Sequence, residues 1–196
     1  NALNAWYRPA GHISLGFSTA LFGTVGVLSG FMALQGWGSR TQSDTGKLSW
    51  RRGILLLAAG TGILAMLGAA VGRGGSVLID REVHRSVCHG CALLDITPYF
   101  FSAPLLEPFG ITGALRVEDA ERQLLANPDI RAVLLTSPTY YGLRRDLPAF
   151  ADLCRAHGKL LLVDAAHGAH FPAVGLPSPV EEGADMAVLS MHKTMP

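Results

Sequence analysis

The sequence has almost no net charge and few cysteines. Its 196 residues carry 16 lysines and arginines against 15 aspartates and glutamates, which gives a formal net charge of +1 at pH 7. Without a field of one sign the chain has no general attraction for nucleic acid, so nucleic acid is not predicted as a partner. The 3 cysteines form an odd set and follow no recognisable signal peptide. They favour a reducing compartment, and we predict a cytoplasmic protein.

Two of the cysteines, Cys88 and Cys91, lie in the motif CHGC. This spacing occurs in redox and metal-binding pairs, but no second pair of ligands stands at metal spacing in the sequence. The motif also falls within an amphipathic helical stretch. We therefore predict ordinary helical positions for both cysteines and no metal site.

Charged side chains are missing altogether from Ile13 to Ser39. A stretch of this length can cross a bilayer of about 30 Å as a helix, and Trp37 followed by Arg40 resembles an interfacial anchor. Against a span, six glycines interrupt the stretch, although membrane helices tolerate glycine. Three interpretations of residues 1–50 stay open: a divergent N-terminal segment, a membrane span and a corrupted reading frame.

From Gly53 onward, short apolar runs alternate with segments of helical period. The runs are continuous rather than alternating, which is typical of strands buried on both faces in a parallel sheet. They are ILLLAA at 54–59, SVLI at 76–79, AVLLT at 132–136, KLLLV at 159–163 and MAVLS at 186–190. A further strand is predicted at TPYFF, 97–101.

Helices are predicted between these runs. One covers 117–127, with acidic residues in its first turn, and another covers 146–158, with Asp146 as N-cap, Pro148 in the first turn and Gly158 at the end. The alternation predicts that residues 51–196 form an α/β domain with three layers, a mostly parallel sheet with helices on both faces.

Polar residues follow several of the predicted strands, where open α/β sheets bind their ligands. Thr61 and Gly62 precede a helix-like segment and suit a phosphate, or else form a tight turn without a ligand. Asp80, His84 and Ser86 follow the run at 76–79, where a histidine is also common as a surface or capping residue. The loop SPTYYG after 132–136 supplies hydroxyl groups, or is an ordinary Pro-Gly loop.

Asp164 follows the buried run at 159–163 and needs a positive partner, because an unpaired buried carboxylate is costly. A guanidinium would make a structural ion pair, whereas a protonated pyridine nitrogen would also explain the small Ala166 and the adjacent His167. Lys193, after the run at 186–190, is either a solvated lysine or an amine that forms a Schiff base with a carbonyl.

Four stretches stand in order along the chain: LIDREVHRSV, TSPTYYGLRRDL, LLLVDAAHGAHF and GADMAVLSMHKTMP. Together they resemble the pyridoxal-phosphate-dependent ornithine, lysine and arginine decarboxylases, of the aspartate-aminotransferase fold type. The resemblance covers roughly residues 54–196. It implies the large domain of a fold type I enzyme, here partial and truncated after the lysine, because members of this family are much longer.

The resemblance also implies roles for individual residues. Lys193 would hold pyridoxal phosphate through a Schiff base, and Asp164 would pair with the pyridinium nitrogen. His84 would stack on one face of the ring and Ala166 would pack on the other. The further residues implied for the cofactor, the ring hydroxyl or the substrate are Thr61, Gly62, Ser86, Thr136, Thr139, His167, Ser190 and His192.

The implied activity is decarboxylation of ornithine, lysine or arginine to the corresponding amine, in polyamine metabolism, by a homodimer or higher oligomer. Rival predictions within pyridoxal chemistry are an aminotransferase, a desulfurase and a carbon-sulfur lyase, and HRS with DAAHGAH favours the decarboxylases over them. A rival of another class is an inactive truncated or membrane-tethered remnant.

Overall fold

The computed structural model of the chain describes residues 6–7, 13–14, 62–107 and 109–194. The predicted strand at 54–59, Thr61, the boundary near residue 50 and most of the uncharged segment lie outside them. Ile13–Ser14 (β2) belongs to that segment and pairs antiparallel with Trp6–Tyr7 (β1). Within the described residues no helix has both the length and the apolar character needed to cross a membrane.

The centre of the fold is a five-stranded, all-parallel sheet. Its strands are Ser76–Asp80 (β3), Thr97–Phe101 (β4), Ile130–Thr136 (β7), Leu160–Ala165 (β8) and Met186–Leu189 (β9), in the spatial order β4-β3-β7-β8-β9. The five described strands predicted from sequence are therefore confirmed, and so is the α/β class. All five strands end at the same edge, which gathers the segments that follow them.

Helices cover both faces of this sheet, as predicted. Residues 62–70 are helical and form α1, followed by Arg85–Leu94 (α2), Val117–Ala126 (α3), Leu147–Ala156 (α4) and the short Met191–Thr194 (α5). The Asp146 carboxylate accepts a hydrogen bond from the Ala149 N–H and caps α4, as its sequence pattern indicates.

Two apolar cores lie on opposite faces because successive strand side chains alternate between them. On one face α3 and α4 pack against Leu78, Val133, Val163 and neighbouring residues. On the other face α1 and α2 pack against Val77, Leu134, Leu162 and their neighbours. We call the second one the α1/α2 face, and it is the face that carries the candidate site.

The strand β4 lies at the edge of the sheet, and four of its five residues are at least partly exposed. Two details differ from the sequence prediction. Asp80 and Asp164 lie within β3 and β8 rather than after them, since both strands run past their apolar residues. A small hairpin of Leu105–Leu106 (β5) and Ile111–Thr112 (β6) had no predicted counterpart.

Candidate active site at the carboxyl edge of the sheet

Asp164 is the central acidic residue at the carboxyl edge of the sheet. It is only 4% exposed, and its Oδ1 accepts a hydrogen bond of 3.1 Å from the N–H of Ala166. Burial raises the pKa of this carboxyl, while that hydrogen bond and the charges of His84, Lys193 and His167 act in the opposite direction. None of the ion pairs formed within the described part of the chain involves Asp164.

Three basic groups predicted from sequence lie near enough to this carboxylate for their charges to act on it. The charges of His84 and Lys193 act on both Asp164 and His167, so the four side chains form one electrostatic cluster. Burial and the charge of Lys193 lower the pKa of His167, whereas Asp164 opposes that shift. The sheet thus brings together residues that are separated by as many as 109 positions in the sequence (84 to 193).

Thr136 lies beside Asp164 on the neighbouring strand. The two residues are register partners of β7 and β8, and paired residues of adjacent strands point to the same face. That face is the α1/α2 face, because Leu134 and Leu162, two residues earlier in each strand, belong to its core. The hydroxyl oxygen of Thr136 is buried and has no hydrogen-bond partner among the described residues.

His84 is the N-cap of α2. Its Nδ1 accepts a hydrogen bond from the Ser86 N–H at 3.3 Å and lies 2.9 Å from Ser86 Oγ. Capping fixes the imidazole at the end of the helix. His84 is a capping residue, which is one of the two interpretations that the sequence left open, and its charge also acts on Asp164. Ser86 itself reaches the cluster through this histidine.

The loop after β7 carries Thr139 and Tyr140. Thr139 is buried, and its Oγ1 and carbonyl oxygen accept hydrogen bonds from Leu143 N–H and Gly142 N–H. The rings of Tyr140 and His167 meet edge to face with centroids 6.4 Å apart. Tyr140 is otherwise exposed, so it extends the cluster toward solvent.

The start of α1 and the end of β9 meet at a close contact. A Cβ added at Gly62 would lie 3.0 Å from Val188 Cγ1, and Val188 is the register partner of Asp164 on β9. Ser190 follows β9, is buried, and its carbonyl oxygen accepts the Lys193 N–H at 3.1 Å. The N-terminal part of α1 therefore lies next to the strand that leads to Ser190 and Lys193. Thr61 and the side chain of His192 lie outside what the structure describes.

Sequence reasoning missed a buried ion-pair network on the opposite face. The Arg145 guanidinium donates hydrogen bonds of 2.8 Å to Asp80 Oδ2 and to Glu82 Oε2, and one of 2.7 Å to the Gly113 carbonyl. A carboxylate at the end of a buried strand needs a cationic partner. The sequence indicates this need at Asp80 as much as at Asp164. The structural guanidinium pair expected as one option for Asp164 occurs at Asp80 instead.

The residues of the α1/α2 face fit a protonated pyridine ring that carries a hydroxyl group. Among the described residues, the Asp164 carboxylate lacks an arginine partner and the buried Thr136 hydroxyl beside it lacks any partner. Each leaves a polar atom that a ring nitrogen or ring hydroxyl could satisfy.

Comparisons with known proteins place most of the chain in one family. Residues 54–195 match the model of the Orn/Lys/Arg decarboxylase major domain. The chain is 35% identical over 134 residues to arginine decarboxylase of Halalkalibacterium halodurans and 34% identical over 133 residues to arginine decarboxylase of Bacillus subtilis. Each alignment covers 67% of this chain and 27% of the relative, so the chain spans about a quarter of the length of these proteins.

Solved structures show the same fold at low identity. The SepCysS–SepCysE N-terminal domain complex matches with a TM-score of 0.59 and 20% identity, over 70% of this chain and 37% of that one. Serine palmitoyltransferase of Sphingomonas wittichii matches with a TM-score of 0.53 and 24% identity, over 69% and 33%. The fold is that of the large domain of pyridoxal-phosphate-dependent fold type I enzymes, and the match at 54–195 shows that this chain belongs to the Orn/Lys/Arg decarboxylase family.

Proposed function

We propose that this chain carries the cofactor site of a pyridoxal-phosphate-dependent decarboxylase that acts on a basic amino acid. The observation that carries the proposal is the buried Asp164 carboxylate, which has no ion-pair partner in the described structure and lies within reach of the charges of Lys193, His84 and His167. A carboxylate in this state is suited to pairing with a cationic ring nitrogen.

The proposed roles follow from where the side chains lie. Asp164 would keep the ring nitrogen protonated, since a nearby anion favours the cationic form. Lys193 would attach the cofactor through its amine, and His84, held at the N-cap of α2, would lie against the ring opposite Ala166. When bound, pyridoxal phosphate supplies a sink for the electron pair that remains after carbon dioxide leaves.

The remaining residues would bind and orient the cofactor and the substrate. Gly62 and Ser190, together with Thr61 and His192, would hold the phosphate by hydroxyl, imidazole and backbone N–H groups. The Thr136 and Thr139 hydroxyls and His167 would lie near the ring hydroxyl or the substrate. Tyr140, against His167, would shield this side from water.

Arginine is the substrate that we propose first among the three basic amino acids. The support is the name of the relatives, which are arginine decarboxylases of bacilli at 34–35% identity. We also propose, from the family resemblance, that the protein works in the cytoplasm as a homodimer and serves polyamine metabolism. Release of carbon dioxide from carboxyl-labelled arginine, lysine and ornithine, measured in parallel, tests the choice of substrate.

Borohydride trapping tests the cofactor site. Pyridoxal phosphate should give an absorbance band at the blue edge of the visible, and reduction should fix the cofactor on the peptide that contains Lys193, as seen by mass spectrometry. Lys193→Ala should abolish the adduct, whereas the control Lys159→Ala should keep it, because the Lys159 amine donates to the Pro128 carbonyl on the surface.

The outcomes separate the rival functions. An adduct that persists in Lys193→Ala would refute the assignment of the lysine. An adduct on Lys193 with release of carbon dioxide from none of the three amino acids would favour the inactive remnant. Amino-group transfer to a keto acid, or release of sulfide, would favour an aminotransferase or a carbon-sulfur lyase instead.

A further inference from the structure

The Arg145 network joins three segments that are distant in sequence. The guanidinium, which is buried with a side-chain exposure of 1%, bonds Asp80 at the end of β3, Glu82 in the following turn and the Gly113 carbonyl after the β5–β6 hairpin. All three bonds are short and link charged or carbonyl acceptors to a fixed planar donor. Arg145, which belongs to the loop after β7, therefore links that loop to the end of β3 through hydrogen bonds of its side chain.

At its own backbone, Arg145 closes the loop after β7. The Arg145 N–H donates to Ser137 Oγ at 3.1 Å, so residues 137–145 form a closed unit. Within that unit Thr139 and Leu143 exchange two further hydrogen bonds, of 2.9 Å between Thr139 N–H and Leu143 O and 3.2 Å between Leu143 N–H and Thr139 Oγ1. The same residue thus anchors the loop that presents Thr139 and Tyr140.

On the β3 side, the network fixes the turn that leads to His84. The Asp80 Oδ1 accepts the Glu82 N–H at 3.1 Å, while its Oδ2 accepts the guanidinium. The Glu82 carboxylate, which is only partly buried, binds the same nitrogen of Arg145 as Asp80 does. Two residues later the chain reaches His84 and the start of α2.

We propose that Arg145 is a positioning residue for the cofactor site: it holds the loop with Thr139 and Tyr140 and the turn before His84 in register with each other. The proposal rests on the proposed function for its consequence, because His84 and Thr139 are the groups that would meet the cofactor. Arg145 itself lies on the opposite face of the sheet from Asp164 and acts only through these loops.

The competing explanation is an ion pair that serves only stability. The two explanations differ in which part of the protein responds when Arg145 is replaced. A buried pair that serves stability alone lowers the stability of the whole domain when it is weakened. When a positioning residue is weakened, hydrogen exchange becomes faster only in the two loops that it holds. Arg145→Lys keeps the charge and loses the planar fork of donors, so it weakens the geometry without leaving Asp80 uncompensated.

The test compares Arg145→Lys with Arg122→Lys in the full chain. Arg122 also pairs with an aspartate, Asp119, but on the exposed surface of α3. Amide hydrogen exchange is measured by mass spectrometry for residues 81–86 and 137–145 and, as an internal reference, for α3. Pyridoxal phosphate is titrated by absorbance, and the pH midpoint of the band is recorded. Glu82→Gln, which leaves the buried Asp80 pair intact, is a second variant should Arg145→Lys fail to fold.

For Arg145→Lys we expect hydrogen exchange at least tenfold faster in the two loops and unchanged exchange in α3. The apparent Kd for pyridoxal phosphate should rise about tenfold and the pH midpoint should shift, because small displacements of positioning groups change binding and rate by this factor or more. Glu82→Gln should give the same pattern, smaller in size, and Arg122→Lys should match the wild type.

Equal acceleration of exchange in the loops and in α3 would overturn the proposal. A Kd for pyridoxal phosphate and a pH midpoint that both equal those of the wild type would overturn it as well. Failure of the proposed function shows itself differently. If wild-type protein binds no pyridoxal phosphate, the exchange comparison still decides whether Arg145 holds the loops, while the assignment of Lys193 and Asp164 falls.

Discussion

Asp164→Asn should change the stability of the protein in opposite directions with and without the cofactor. The pKa of this carboxyl is raised above its ordinary value of 3.8, chiefly by burial. A carboxyl with a higher pKa in the folded state binds more protons there than in the unfolded chain. The free energy of unfolding therefore falls as the pH rises from the unfolded pKa through the folded one, and at neutral pH the ionised group opposes folding.

The asparagine amide removes this cost and keeps an oxygen that can accept the Ala166 N–H. In the cofactor-free protein at pH 7 we expect Asp164→Asn to raise the free energy of unfolding by about 1 kcal/mol, as is usual when a strained functional group is relieved. For a chain of this length that corresponds to a rise in Tm of about 2–4 °C.

Pyridoxal phosphate should reverse the order. At 100 times its Kd a ligand stabilises the folded protein by about 2.7 kcal/mol. A hydrogen bond to a charged group contributes about 1.5–3 kcal/mol, so its loss raises the Kd roughly 10–100-fold and removes about half or more of that gain. At the upper end of this range the variant becomes less stable than the wild type by about 1 kcal/mol.

Thermal unfolding followed by circular dichroism, with and without cofactor and from pH 4 to 8, measures both effects. Asp152→Asn is the matched control, because Asp152 forms an exposed pair with Arg155 and should shift stability by less than about 0.5 kcal/mol. A cofactor-free Asp164→Asn protein that is less stable than the wild type at pH 7 would refute the reasoning, since the carboxylate would then have a stabilising partner.

Two further predictions concern glycines and cysteines. Gly168→Ala should destabilise the fold by about 1–3 kcal/mol in chemical denaturation, because the new Cβ would lie 2.9 Å from Pro138 Cδ. Gly68→Ala in α1 should instead stabilise it by about 0.5–1 kcal/mol, because its new Cβ meets only Leu94, at 3.8 Å. Equal effects of the two substitutions would contradict this prediction. Of the three cysteines, only the exposed Cys88 should react rapidly with a thiol reagent at pH 8. Burial raises the pKa of Cys91 to about 11 and that of Cys154 to about 12. Rapid labelling of either buried thiol in the native protein would contradict this prediction and show that the core around it opens readily.

The sequence determined the secondary structure and the sheet class because both depend on local pattern. Continuous apolar runs such as AVLLT and MAVLS became parallel strands, and Asp146 with Pro148 marked the start of α4. The motifs around His84, Asp164 and Lys193 also indicated one family by their residue types and order alone, and the match over 54–195 confirms that family.

Local pattern did not determine which strand lies at the edge. TPYFF predicts a strand but not its place in the sheet, and β4 lies at the edge with four of its five residues at least partly exposed. The order of the strands depends on which elements pack together over long sequence distances, and a run of five residues contains no information about its neighbours.

The tertiary structure also decided which buried carboxylate forms an ion pair with an arginine. Asp80 and Asp164 look alike in the sequence, since each follows a buried apolar run, although a cationic partner was predicted only for Asp164. The alternation of strand side chains puts Asp80 on the face where Arg145 arrives and Asp164 on the face with α1 and α2, so within the described structure one carboxylate receives a guanidinium and the other does not. Residue types and their order fixed which charged side chains the chain has available, and only the folded sheet decided which carboxylate pairs with a guanidinium in the described structure.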